Sequence, residues 1–252
     1  MSLIHSVYFT NNKNAENNKS MTNAIYLVMQ NTYDAIEIAL FVNDRIIDHA
    51  QENKINASKR AIPLINTLLE KNNYNFSQLS FIAINQGPAP FTTLRVIIAT
   101  ANGLSFATSL PLIGVDGLHA LLSEYQDNNH PLTIALLDAF NNDVYVAISE
   151  KEAILYSDCE KIDVVLEKID QNYKTHKLRF IGNAALLYAD NIYEKFHNRA
   201  VIPQGVLTCS IKEIGRIAYA KWQQHQDLSY QLFPLYLKHQ YYKNQQGQLK
   251  RI

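Results

Sequence analysis

The 252-residue chain predicts an α/β fold of two lobes, each a mixed sheet with helices packed on it, and three observations carry that prediction. The first half opens with three apolar runs joined by Asn- and Asp-tipped corners, then alternates strand and helix. The second half repeats the same order, which reads as a duplicated design with a cleft between its halves. Hydrophobic residues make up 47% of the chain, enough to build a sizeable core.

The elements follow in order. Residues 1–23 include the Asn- and Lys-rich run TNNKNAENNKSMTN, which offers almost nothing apolar to bury, so they form a flexible lead-in, with Met21 as an alternative start. From Ala24 the runs AIYLVMQ, AIEIALFV and RIIDHAQ form an antiparallel meander. SKRAIPLINTLLEKN places Ile62, Ile65, Leu68 and Leu69 at helical spacing, with Pro63 near the first turn. LSFIAIN is a strand, Phe91 to Ser109 a helix of about five turns, LPLIGVD a strand and GLHALLSEYQ a helix. In the second half TIALLDA and DVYVAISE flank an Asn-tipped hairpin, with a third strand over Glu152 to Ser157. A helix near Ile162 to Gln171, the strand KLRFIG, a helical stretch at Ala184 to Asp190 and a helix at Ser210 to Gln224 complete it. Residues 24–115 are assigned to the N-terminal lobe, 116–238 to the C-terminal lobe and 239–252 to a polar tail.

Lys plus Arg equals Asp plus Glu at 23 each, so bulk charge calls for neither nucleic acid nor an anionic membrane. Cys159 and Cys209 lack CxxC spacing and read as reduced thiols. No apolar run approaches the roughly 20 residues needed to cross a bilayer, and MSLIHSVYFTNN lacks a signal-peptide pattern. A cytoplasmic protein with no membrane partner is expected.

Between LSFIAIN and the long helix lies the corner GPAP. A Gly-rich strand-to-helix turn often cradles a phosphate, but this one has a single Gly and no Lys-Ser or Lys-Thr. The helix is more informative. Leu94, Ile97, Ile98, Ala101 and Leu104 line one face, while Val96, Ala99, Thr100, Gly103 and Ala107 line another. A helix apolar all round needs cover on both sides. Ala99, Gly103 and Ala107 recur every four residues, which admits a close neighbour; either the helix at Ser58 to Asn72 and the rest of this chain supply it, or a partner protein does.

GPAPFTTLRVIIATANGLSFATSLPLIGVDGLHAL resembles the hallmark segment of the bacterial TsaB family, also called YeaZ. The matching positions are Gly87, Pro88, Phe91, Thr92, Leu94, Arg95, Gly103, Leu104, Pro111, Leu112, Ile113, Gly114 and Val115. LLDAFNNDVYVAI resembles a later family hairpin at Asp138, Ala139, Val144 and Tyr145, and the likeness runs from Ala24 to about Lys238. The resemblance implies a duplicated fold of the actin, Hsp70 and sugar-kinase type. It also implies a catalytically inert subunit, without a cofactor, that pairs with a TsaD-type threonylcarbamoyl transferase and a TsaE-type ATPase to modify the adenosine beside the anticodon of ANN-decoding tRNAs. Transfer RNA would then be met through the complex. The family's pairing surface maps to the first two helices of the N-terminal lobe, here Pro63, Leu64, Thr67, Leu68, Arg95, Val96, Ala99, Thr100, Gly103 and Ala107. Gly87, Pro88, Phe91 and Thr92 form the loop corner that launches the second of these helices, and self-association through the helix pair gives a possible homodimer.

The chain departs from the family pattern where chemistry would sit. Gln30-Asn31-Thr32 stands where the family commonly has D-T-S, so an acidic organiser of metal or phosphate is missing. Ala89 replaces a Gly, at a cost if that position needs a positive φ, and Pro90 is expected to pre-set the first helical turn. None of the eight histidines stands at HxxxH or HxE spacing, and no GxSxG elbow occurs, so neither a metal site nor a catalytic residue is assigned. Asp138 is a metal ligand, a base or, as favoured, a turn cap. Arg95 grips an anion or a partner carboxylate. The tail interleaves Lys238, Lys243, Lys250 and Arg251 with Tyr241 and Tyr242, which suits RNA or simply disorder. The competing reading of the whole is an ATP-binding enzyme of the same fold acting in its interlobe cleft.

Overall fold

The computed structural model describes residues 23–130, 132–151 and 153–238, together with the backbone of 241–243 and 249–251. The expected lead-in lies outside these, apart from Asn23.

Strands β1 (Ile25–Asn31), β2 (Ala35–Val42) and β3 (Arg45–Asn53) form the meander. Helix α1 (Ala57–Lys71), strand β4 (Phe81–Asn85), helix α2 (Phe91–Thr108), strand β5 (Leu112–Val115) and helix α3 (Gly117–Glu124) follow. The second half repeats this with β6 (Leu132–Asp138), β7 (Asp143–Glu150), β8 (Ala153–Lys161), α4 (Ile162–Asn172), β9 (Leu178–Ile181), α5 (Asn183–Leu187), α6 (Ala189–Phe196), β10 (Ala200–Val201) and α7 (Ile211–Gln223). The first sheet runs β5-β4-β1-β2-β3 and the second β10-β9-β6-β7-β8, each with one antiparallel meander and two parallel strands beside its first member. Identical order and sense in both halves establish the duplication.

The chain stacks in five layers. Alternating side chains of β1 divide between two cores: Leu27 and Met29 join α1 and α2 on one face, Tyr26 and Val28 join α3 and α7 on the other. A third core covers the outer face of the second sheet with α4, α5 and α6. The two middle helices cross between lobes. Helix α3 packs on β6 and β7 of the second sheet, while α7 packs on β1, β4 and β5 of the first. Residues 211–223, within the 116–238 segment expected to form the C-terminal lobe, therefore cover the first sheet. Strand β11 (Leu228–Ser229) pairs with β5, and residues 230–238 continue as a strap beside α2. The polar tail contains a backbone hairpin of β12 (Tyr241–Lys243) and β13 (Leu249–Arg251); its side chains, including those of the aromatic and cationic residues noted above, lie outside the described part.

Candidate functional site: the α1–α2 face and the interlobe cleft

Helix α2 starts and stops for local reasons. Pro90 is its N-cap, with φ −54° and ψ 122°, one position earlier than the first-turn role expected from sequence. The C-cap Ser109 is left-handed at φ 59°, and Pro111 forbids a further turn. At the corner the positive φ falls on Gly87, at +102°, where an added Cβ would also meet Leu94; Ala89 needs none, so the Gly-to-Ala change costs nothing there. The Gly87–Pro88 bond is cis.

The buried face of α2 is Leu94, Ile97, Ile98 and Ala101 with the polar Thr93 and Ser105, while Leu104, expected on that face, is half-buried. On its outward side Thr92, Arg95, Ala99, Gly103, Phe106 and Ala107 are exposed, with Val96 and Thr100 half-buried. A Cβ built on Gly103 finds no atom within 4 Å. On α1, Ile62, Pro63 and Thr67 are exposed and Leu64 half-buried. Leu68 corrects the expected surface: at 3% exposure it belongs to the core under α1, because it lies three residues from Ile65 on the sheet-facing stripe. Phe106, at 92% exposure, was missed by sequence reasoning, although its helical position beside Gly103 marks it.

The strap covers the opposite flank. Leu232 enters the core under α2, and the Asn102 amide exchanges two 2.9 Å hydrogen bonds with its backbone. Further along, Arg95 stacks its guanidinium 3.7 Å above the Phe91 ring and donates to the Tyr236 hydroxyl at 2.9 Å. Arg95 is therefore engaged within the chain, by a strap residue that no apolar periodicity marks. Between α1 and the strap the small ridge of α2 is uncovered among the described residues.

The interlobe cleft is nearly closed at the ends of β1 and β4, whereas a space of about 600 Å³ opens among α3, α7 and the second sheet. Gln30, Asn31 and Asn85, at the ends of β1 and β4, are all at least 94% buried there. Gln30 donates to Glu37 at 2.6 Å, and the Asn85 carbonyl accepts from the Gly87 amide at 2.9 Å. Tyr33 crosses between lobes to donate to the Asp138 carbonyl at 2.6 Å. The space among Asn31, Tyr33, Asn85, Leu137 and Cys209 is about 10 Å³, at the lower limit for one water. Asp138 caps its hairpin by accepting from the Phe140 amide at 2.9 Å, the role favoured from sequence. Burial pushes the Cys209 thiol up and raises the Cys159 thiol to about 11, so neither is an activated nucleophile.

A two-lobed duplicated fold whose outer helix pair is open and whose cleft is filled by amides defines the class, and comparison with known proteins defines the family. Residues 50–233 match the family described as TsaD: tRNA N6-adenosine threonylcarbamoyltransferase. The chain belongs to that family, and within it to the TsaB, or YeaZ, group. Over 224 residues it is 23% identical to the tRNA threonylcarbamoyladenosine biosynthesis protein TsaB of Buchnera aphidicola subsp. Baizongia pistaciae, covering 84% of this chain and 96% of that one. It is 26% identical over 135 residues to the TsaB protein of Haemophilus influenzae, covering 53% of this chain and 57% of that one, so there it spans little more than half the relative's length. YeaZ from Pseudomonas aeruginosa has the same fold at a TM-score of 0.68 and 21% identity, over 85% of this chain and all of that one.

Proposed function

We propose that the chain is a non-catalytic subunit of tRNA threonylcarbamoyladenosine biosynthesis, which docks a TsaD-type transferase on the α1–α2 face, with a TsaE-type ATPase joining the pair in the cytoplasm. Transfer RNA meets the chain through that complex. The observation that carries the reading is the exposed ridge of Ala99, Gly103 and Ala107, spaced four residues apart. Such spacing lets a partner helix approach closely and bury the neighbouring Ile62, Pro63, Val96 and Phe106. Apolar area removed from water at about 25 cal/mol per Å² then drives association, after the entropic costs of binding are subtracted.

The rival reading, ATP chemistry in the cleft, has less support. Amides rather than carboxylates stand at the strand ends, and a nucleotide needs several hundred Å³ where the space beside those strand ends is about 10 Å³. The test is a reconstituted reaction in which tRNA is analysed for threonylcarbamoyladenosine after incubation with transferase and ATPase. Modification is expected to require this chain and to be lost with Gly103→Trp; full activity of that variant, or of the reaction without the chain, contradicts the proposal.

A further inference from the structure

The helix pair alone is a small platform for a stable heterodimer. Helix α2 has 18 residues, so with α1 beside it the face measures about 27 by 20 Å, on the order of 500 Å². Standard interfaces use about 800 Å² per partner. The strap supplies a further strip along the same edge. It presents Tyr230 at 67%, Phe233 at 66% and Tyr236 at 51% exposure, and α2 answers with Phe106 at its C-terminal end and Phe91 at its N-terminal end. Adding a strip about 10 Å wide brings the platform to roughly 800 Å².

We infer that residues 230–236 of the strap are the second half of the docking surface, and that their aromatic side chains are the anchors for the transferase. This rests on the docking reading above and deepens it. The strap is built for the task. Ser105 donates to the Tyr230 carbonyl, Asn102 clasps Leu232, and Gln86 donates to the Phe233 carbonyl at 2.8 Å while accepting from the Leu235 amide at 2.9 Å. The backbone is thereby fixed while the aromatic side chains stand in solvent, so little backbone entropy is left to lose on binding. At the corner end, Tyr236 and Phe91 lie 5.5 Å apart with the Arg95 guanidinium between hydroxyl and ring. Exposed aromatic and Arg side chains held rigid in this way are the residue types that dominate binding energy at protein interfaces. The small ridge of α2 then admits the partner's helix, and the aromatic row grips its flank.

Binding of the full-length chain to the purified transferase is measured for wild type, Gly103→Trp, Phe233→Ala/Tyr236→Ala and Tyr236→Phe. The double strap variant is expected to weaken binding at least tenfold with an unchanged melting temperature, and Tyr236→Phe to weaken it less than threefold. If Gly103→Trp abolishes binding but the strap variant stays within twofold of wild type, the inference falls and the docking reading stands. If neither variant changes binding, both fall. If the strap variant changes only self-association, the row serves a second copy and the inference falls. Hydrogen exchange on the wild-type proteins gives an answer independent of variant folding: residues 230–236 gain protection when the transferase is added, and an unchanged exchange rate there overturns the assignment.

Discussion

Gly103 lies inside an 18-residue helix, where glycine is the least favoured residue after proline, and no atom of the described chain approaches the space a Cβ would fill. The local cost of glycine thus has no intramolecular return. Gly103→Ala is therefore expected to stabilise the isolated chain by about 0.5–1 kcal/mol, read from chemical unfolding; a destabilisation would place Gly103 under a constraint from its own chain. The ridge was legible in the sequence because Ala99, Gly103 and Ala107 repeat at helical spacing. Leu68 was misplaced because a stripe of apolar residues on α1 does not state where the buried face ends. Tyr236 was invisible, since a strap without periodicity gives no sign of which helix it follows.

At the scale of elements, α2 carries two unlike faces, and they respond differently to substitution. Ile97 is fully buried under the helix, among Leu94, Ala101 and the side chains of β1 and β4. Ile97→Ala is expected to cost about 2–5 kcal/mol of stability, whereas Ala99→Asp, on the exposed ridge, is expected to cost no more than about 1 kcal/mol, its helix-propensity term, while abolishing transferase binding. Equal stability losses at both positions would show the ridge to be packed. The elements themselves were readable from apolar spacing and Asn-tipped corners, but the destination of α7 was not. Its amphipathic pattern requires a sheet to cover, and only the folded chain reveals that the sheet belongs to the other half. The amide-lined cleft was half legible: Gln30 and Asn31 announce missing carboxylates, while the closure by Tyr33 depends on a contact 105 residues away in sequence.

Across the whole molecule the two lobes are held by the crossed helices and by a latch at the end of the strap. Lys238 donates to the Ala139 carbonyl at 2.8 Å and pairs with Asp143 at 2.8 Å, while Lys161 pairs with the same carboxylate at 2.9 Å. Burial pushes the Asp143 carboxyl upward, but the two ammonium groups outweigh it and hold it below the usual carboxylate range. A carboxyl with a depressed folded-state pKa contributes stability that is fully present above its unfolded value of about 3.9 and is lost as pH falls through the folded value. Lys238→Met is thus expected to raise the Asp143 titration, observed by carboxyl carbon NMR, and to move acid unfolding to higher pH; an unmoved titration would show that the latch does not form.

The central claim is that the outward side of α2 is a docking face for another protein of this biosynthesis. Native mass spectrometry of the chain mixed with a TsaD-type transferase tests it most directly. Wild type is expected to give a one-to-one heterodimer, and Gly103→Trp, with an unaltered circular dichroism melting curve, is expected to give only the separate proteins. A Gly103→Trp heterodimer of undiminished abundance would contradict the claim.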